Sequence, residues 1–494
     1  MPQPPSAPSR PSLASRLCSL GVRGGLMVGG TLLGFVGALS ARSHAANFGA
    51  LQTQWPPYQP LTSADRVLIL SPHLDDESLA AGGLMAQAQR LGVPVRVAFL
   101  TNGDGSRSTL IAHNLRHRHP QSMVEFALLR QHEARAACAQ FGLDEDDLIF
   151  LGYPDGGGLP LWEEFWEAKR PFRSAFTGLI RAPYADARTL RTPYCGDAVW
   201  RDLIGVMRDF RPTRVLTTHP ADTHPDHATI YNFAALALET LRLEPDTRAW
   251  ATATRLESFM VHYGIWPVPN GLHPDQVLAP PAPLHATGTQ WTNLDLDAAD
   301  QATKLCAINS YPSQLAVTPR YLRAFARRNE IFGSEPVGCD CIHARTATGL
   351  TPRHALNPAR DLRALTIERT QDGGLTIQVQ LCAPPSERLR YRVLLHAVVP
   401  PPQDASPSQQ GTPQIRRAYI EWASEDGWLA YWEHNGKREE IPFARDGATL
   451  RATLPPSLAQ RLLGAADCSL LASASVRQGH KVLTRMPVAV GRFL

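Results

Sequence analysis

The sequence predicts an α/β fold, a mostly parallel sheet with flanking helices, followed by a C-terminal all-β region. Three observations predict it. Apolar runs of strand length alternate with helical periodicity from Arg66 to Leu243. Two of those runs end in loops crowded with His and Asp. From Leu365 onward the apolar period drops to two, and Gly-containing turns recur.

Regular structure is expected to begin at Arg66. Val67-Leu68-Ile69-Leu70 is continuously apolar, as a parallel strand buried on both faces requires. A helix is predicted over residues 77–91, with Ala80, Leu84, Ala88 and Leu91 on one face. Residues 93–100 read as the second strand, closed by the turn residues Asn102-Gly103-Asp104-Gly105. Residues 125–141 are helical in pattern and 147–151 a strand. Residues 197–210 follow as helix, Arg214–Thr218 as strand and 228–243 as helix. Such βαβ alternation makes a Rossmann-like sheet. Residues 156–196 break it and read as an insertion over the sheet's edge. Their Trp162 and Trp166 share one helical face, suited either to stacking on sugar rings or to packing on the sheet.

In the C-terminal part Leu375, Ile377, Val379 and Leu381 alternate with Thr376, Gln378 and Gln380. Asp372-Gly373-Gly374, Asp426-Gly427, Asn435-Gly436 and Asp446-Gly447 are hairpin-type turns. A sandwich is expected. Trp422, Trp428, Tyr431 and Trp432 suit an aromatic platform or a core, with core expected. Pro400 to Pro413 is a Pro/Ser/Gln-rich loop. The 494 residues thus divide into an N-terminal segment (1–46), an α/β domain (60–335) and an all-β accessory domain (360–494).

The N-terminal segment reads as a signal peptide, with an uncleaved membrane anchor as the alternative. Arg10, Arg16 and Arg23 precede the apolar, Gly-rich run 26–39, and Ser43-His44-Ala45 follows. The run is shorter than the ~20 residues of a spanning helix, which favours cleavage. Either form places the body outside the cytoplasm, in the periplasm or extracellular space. Any membrane contact would pass through this segment if it is uncleaved. Cys18 precedes the apolar run, which argues against a lipid anchor.

The chain carries 49 basic and 45 acidic residues. Arg10, Arg16, Arg23 and Arg42 all precede the first acid, Asp65, so the remainder is balanced. A neutral body argues against nucleic acid as a partner. Seven cysteines follow the N-terminal segment. No C-x-x-C pair occurs, and buried thiols with a bridge or two are expected.

The sharpest feature is Ser71-Pro72-His73-Leu74-Asp75-Asp76-Glu77, which follows a buried strand and opens a helix. Adjacent Asp75 and Asp76 cannot point the same way. One suits a metal, the other a water on that metal. The second feature, His219-Pro220-Ala221-Asp222-Thr223-His224-Pro225-Asp226-His227, also follows a strand and precedes a helix. Taken singly, the first is a helix cap with a surface His, and the second a chance His-x-x-His. Taken together at two strand ends, they make a site. Two His and one carboxylate form a known catalytic zinc set, with a fourth position for water.

These motifs resemble the LmbE-like, or PIG-L, family of de-N-acetylases. Ser71 to Glu77 matches (A/S)-P-H-x-D-D-E, and His224 to His227 matches H-P-D-H. Weaker echoes are Asn102-Gly103-Asp104, Arg130-Gln131-His132-Glu133, Gly152-Tyr153-Pro154-Asp155-Gly156 and Tyr311-Pro312-Ser313-Gln314. The resemblance spans about 66–332 and leaves out the β region. It implies a zinc-dependent N-deacetylase releasing acetate from an amino sugar or a GlcNAc-containing glycan. It also implies His73, Asp76 and His227 as metal ligands and Asp75 as general base. His224 is implied as oxyanion stabiliser or proton donor to the leaving amine, and Arg130 as a substrate contact. Asp226 is expected to orient a neighbouring His. His219, outside the match, is expected to be structural. Another divalent metal would also suit these ligands. Two alternatives remain: a carbohydrate-binding or scaffold protein with an inactive domain, or a hydrolase of another amide or ester.

Overall fold

The computed structural model describes residues 55–106, 120–346, 357–401, 413–425, 427–464, 467–479 and 481–493. The expected signal segment and most of the Pro-rich loop lie outside the described residues. So do residues 347–356, ahead of the expected start of the β domain. Among the described residues no helix is long and apolar enough to cross a membrane.

The first sheet contains β1 (Val67–Ser71), β2 (Val95–Thr101), β3 (Leu148–Tyr153), β4 (Arg214–Thr218), β5 (Arg255–Phe259), β6 (Gln290–Asp295) and β7 (Asn329–Ser334). Its order is β3-β2-β1-β4-β5-β7-β6. The strands from β3 to β5 are parallel, β7 is antiparallel to β5, and β6 is antiparallel to β7. The order reverses between β1 and β4, so the loops leaving those two strands diverge over one crevice.

The continuous apolar run of β1 has a direct cause. Val67 and Ile69 pack with Leu79, Leu84 and Ala88 of the helix Asp76–Leu91. Leu68 and Leu70 pack on the opposite face with Ile230 and Leu238 of the helix Pro225–Leu243. Leu91, expected on the buried face, is 55% exposed, because the left-handed Gly92 ends the helix immediately after it. The helix Pro225–Leu243 starts three residues before the expected 228, so Asp226 and His227 lie on its first turn. The helix expected at 125–141 spans Pro120–Ala139.

Part of the 156–196 segment covers the free edge of β3, where Phe150 bridges Ala187. Its Trp162 faces inward. Its ring centroid lies 5.0 Å from that of Phe233 and 4.0 Å from that of His396. This decides Trp162 for packing.

The remaining strands build two further sheets. One has the order β16-β17-β11-β10-β9: β9 (Cys341–Arg345), β10 (Leu362–Arg369), β11 (Leu375–Leu381), β16 (Phe443–Asp446) and β17 (Thr449–Leu454). The other has the order β15-β14-β13-β12-β18-β20-β8, with β19 (Lys481–Arg485) paired to β18. Its members are β8 (Val337–Cys339), β12 (Arg390–Val399), β13 (Gln414–Ser424), β14 (Trp428–His434), β15 (Lys437–Glu440), β18 (Cys468–Gln478) and β20 (Ala489–Phe493). Leu365, Ile377 and Val379 of the smaller sheet share a core with Tyr391, Val393, Trp422 and Trp432 of the larger. Trp422 and Trp432 are therefore core.

The opposite face of the larger sheet is also buried. Leu394, Val398 and Leu471 join the apolar layer of the helix Pro225–Leu243. That is why β12 reads as a continuous apolar run although its neighbours are antiparallel. Residues 55–494 form one unit. The expected disulfides do not form: Cys138, Cys195, Cys306, Cys339, Cys341, Cys382 and Cys468 are free thiols. Cys138 and Cys468 sit in separate cores, out of each other's reach.

Candidate metal centre

The two predicted loops meet at the switch point. His73 Nδ1 lies 3.0 Å from His227 Nε2. Asp76 Oδ2 lies 3.3 Å from the first and 3.2 Å from the second. Three ligand atoms therefore face one another in a near-equilateral triangle. Bonds of about 2.0–2.1 Å to a tetrahedral ion give edges of about 3.3 Å. The donor set and its spacing fit a divalent cation such as Zn²⁺.

The charge balance fits as well. Burial would push His73 and His227 down, yet acids on both sides outweigh it. Asp155, Asp226 and Asp76 hold His73 well above the ordinary imidazole value. Asp76 and Asp222 hold His227 at about 9. Burial would raise Asp76, but the two imidazoles hold it well below the usual carboxylate range. The pocket thus favours positive charge, the condition under which a cation displaces protons.

Each imidazole is held from behind. His227 Nδ1 lies 3.2 Å from Asp222 Oδ2, leaving Nε2 for the triangle. His73 Nε2 lies 3.4 Å from both Asp226 Oδ2 and Asp155 Oδ1. Asp226 is fixed by the N–H groups of Gly156 and Gly158, at 2.7 and 2.8 Å.

Asp75 points elsewhere. Its φ of 146° is strained for a residue with a side chain. The turn is held by Glu77, which accepts the Asp75 N–H at 3.1 Å and hydrogen bonds from Ser78 and Tyr311. Asp75 Oδ1 lies 3.5 Å from Arg130 Nη2, which also donates to Leu74 O at 2.7 Å. Burial raises the Asp75 carboxyl to about 7, against the pull of Arg130 and helped by Asp76 and Glu77.

His224 caps the helix Pro225–Leu243, its Nδ1 accepting the Asp226 N–H at 3.3 Å. Its ring centroid lies 4.8 Å from that of His73 and 4.9 Å from that of His227. Burial and the neighbouring imidazoles push it down to about 3. It is therefore neutral, with its proton on Nε2.

Several neighbours were not singled out from the sequence. Asp155 belongs to the Gly152-to-Gly156 echo and Asp222 to the second loop. His262 follows β5. Its Nδ1 lies 2.9 Å from the Tyr321 hydroxyl, which donates to Val261 O at 2.7 Å. The weaker motif echoes meet too, since Ser313 N and Oγ donate to Glu133 at 2.8 and 2.5 Å. His219 is buried, 2.8 Å from Glu335 and stacked on Trp291.

Residues 68–238 match the family described as PIG-L, GlcNAc-PI de-N-acetylase. Over 192 residues the chain is 28% identical to 1D-myo-inositol 2-acetamido-2-deoxy-alpha-D-glucopyranoside deacetylase of Mycobacterium sp. (strain KMS), covering 38% of this chain and 55% of that protein. The like-named deacetylase 1 of Saccharopolyspora erythraea is 33% identical over 175 residues, with 34% and 51% covered. The solved N,N'-diacetylchitobiose deacetylase from Pyrococcus horikoshii is 18% identical, with 54% of this chain and 82% of that chain covered and a TM-score of 0.31. The chain spans about half the length of the curated relatives it matches.

Proposed function

From the PIG-L family domain carried by residues 68–238, we propose that the chain is a metal-dependent N-deacetylase, a hydrolase freeing acetate from an N-acetylated amino sugar or a GlcNAc-containing glycan. The observation that carries this is the triangle of His73 Nδ1, Asp76 Oδ2 and His227 Nε2, with Asp75 beside it and outside it. A purely structural metal has no use for a separate carboxyl poised near neutrality.

His73, Asp76 and His227 would hold the ion, zinc in this reading. Once bound, such an ion lowers the pKa of water from ~15.7 toward ~7 and polarises a carbonyl. Asp75, held near 7, takes the proton from the attacking water. Arg130 is buried against Leu74 O and Asp75, which favours a positioning role through Asp75 over the direct substrate contact that the resemblance implies. His224 uses Nδ1 as a helix cap, so its Nε2–H is the group that donates to the developing oxyanion. Asp75 then returns its proton to the departing amine, and acetate and the free amino sugar leave.

The test is acetate release from a panel of N-acetylated sugars and glycans by wild type and Asp75→Asn, each chelated and refilled with Zn²⁺. A loss of about 10² or more in Asp75→Asn is expected. Equal release by both proteins would remove Asp75 from the mechanism.

A further inference from the structure

A cavity of about 460 Å³ lies between the α/β part and the C-terminal strands. One wall is the helix Pro225–Leu243, through Ala228, Tyr231 and Asn232; the other is the segment from Val482 to Val490. The loop after β4 forms its rim, through Asp222, Thr223 and Pro225. Thr223 and Pro225 flank His224 in the chain, and Asp222 touches His227. The cavity therefore adjoins the candidate metal centre without containing it.

Its polar groups are only partly used. Glu163 is paired with Arg477, Glu335 with His219, and Asp222 with His227. Three other groups have no hydrogen-bond partner among the described residues. The half-buried Arg485 guanidinium feels the charges of Glu163, Asp226 and Asp222 without a hydrogen bond to any of them. Asn232 Oδ1 and the Tyr263 hydroxyl are buried and unsatisfied, in residues only 7% exposed. Leaving buried polar atoms unpaired is costly, so their retention around a cavity points to a ligand that satisfies them.

The chemistry of that ligand follows from the lining. Tyr231, Met486 and Val488 supply apolar surface. The free groups include a donor (Arg485), an acceptor (Asn232 Oδ1) and a hydroxyl able to act as either. A phosphate or sulfate would want donors alone and would meet Glu163, Glu335 and Asp222 in the same space. A sugar ring wants an apolar face together with mixed donors and acceptors, and the volume suits one or two rings.

We propose that this cavity is a saccharide subsite: it binds a neutral sugar unit of an extended glycan, beyond the acetamido sugar at the metal centre. The proposal rests on the deacetylase reading and sharpens it toward oligomeric substrates. It also gives the C-terminal strands a share in substrate binding.

The test uses the full chain and N-acetylglucosamine oligomers of one to four units. Calorimetric titration measures binding, and initial rates of acetate release measure kcat/KM for each length. In wild type the tetramer should exceed the monomer about tenfold in both. Arg485→Ala and Tyr263→Phe should each remove most of that advantage while leaving monomer kcat/KM unchanged. Tyr263→Phe deletes one oxygen and serves if Arg485→Ala melts early. An equal monomer-to-tetramer ratio in variants and wild type would overturn the subsite, as would a wild type blind to length. If no oligomer yields acetate but the variants still lose the tetramer's binding advantage, the deacetylase reading falls and the subsite stands.

Discussion

Asp222 Oδ2 lies 3.2 Å from Nδ1 of His227, across the ring from the nitrogen that faces Asp76. The same oxygen accepts N–H groups from Val261 and His262, at 3.2 and 2.8 Å. The carboxylate is thus fixed by the chain beyond β5, and it fixes the ring in turn. Replacing it by an amide removes the charge and offers His227 the wrong partner in half of its orientations. Asp222→Asn should weaken Zn²⁺ binding about 10–100-fold. Competition against a chromophoric chelator reads this directly, and an unchanged affinity would deny Asp222 its orienting role.

Gly103 sits at φ +66°, and a Cβ there would lie 1.8 Å from Arg130 Nη1. The turn after β2 is therefore a lid on the guanidinium that touches Asp75. Gly103→Ala must shift Arg130, the turn, or both. We expect a stability loss of about 1–3 kcal/mol from the strained backbone. Acetate release should fall further than unfolding explains at a temperature where the variant is fully folded. Wild-type rates in the folded variant would show that Arg130 has no hold on Asp75.

What was legible in the sequence followed the range of the interactions. His73, Asp76 and His227 stood out because each lies at a strand-to-helix junction, where a few consecutive residues fix both loop and ligand. Asp155 and His262 did not. They reach the centre only because β3 and β5 share a sheet with β1 and β4; Asp155 lies in a motif echo that by itself assigns it no role, and nothing local marks His262. The helix Pro225–Leu243 starts three residues before the expected 228, because the Ala/Leu pattern begins at Ala228 while Pro225 suits a helix's first turn. Trp162 could not be placed from its own neighbourhood. Its cover, His396, is supplied by a strand more than two hundred residues away. The alternation in β11 announced a sandwich, whereas the second buried face of β12 appeared only once the helix Pro225–Leu243 lay against it.

Glu239 ties that helix to the C-terminal strands. It is 2% exposed and accepts from Ser469 at 2.7 Å, from Arg492 at 3.0 and 3.1 Å, and from Arg242 of its own helix. When Glu239 goes, the Arg492 side chain, 40% exposed, can regain water, and Arg242 keeps its hydrogen bonds to the Ala251 and Thr254 carbonyls. Glu239→Ala should therefore cost about 1–3 kcal/mol, less than breaking a fully buried pair. Urea denaturation should show a lower midpoint in one transition, because the two parts share an apolar layer. Two separated transitions would mean that the C-terminal strands unfold on their own.

Asp65 links the segment ahead of β1 to β4, and it makes acid stability testable. Burial would raise its carboxyl. Hydrogen bonds from Arg214, Thr62 and Thr213 outweigh that and hold it at about 2. The Arg214 Nε contact is 3.0 Å, and both side chains are buried. The folded value lies below the unfolded value of about 3.9, so the folded state binds protons less readily. The stabilisation is then complete above about pH 5 and is lost as pH falls toward 2. A difference of nearly two pKa units corresponds to about 2.5 kcal/mol. Asp65→Asn should lower the unfolding free energy by about that amount at pH 7 and by much less near pH 2. Urea titrations of both proteins at the two pH values measure it. A gap of the same size at both would show that the charge on Asp65 contributes nothing, leaving only the shape of the side chain to account for the loss.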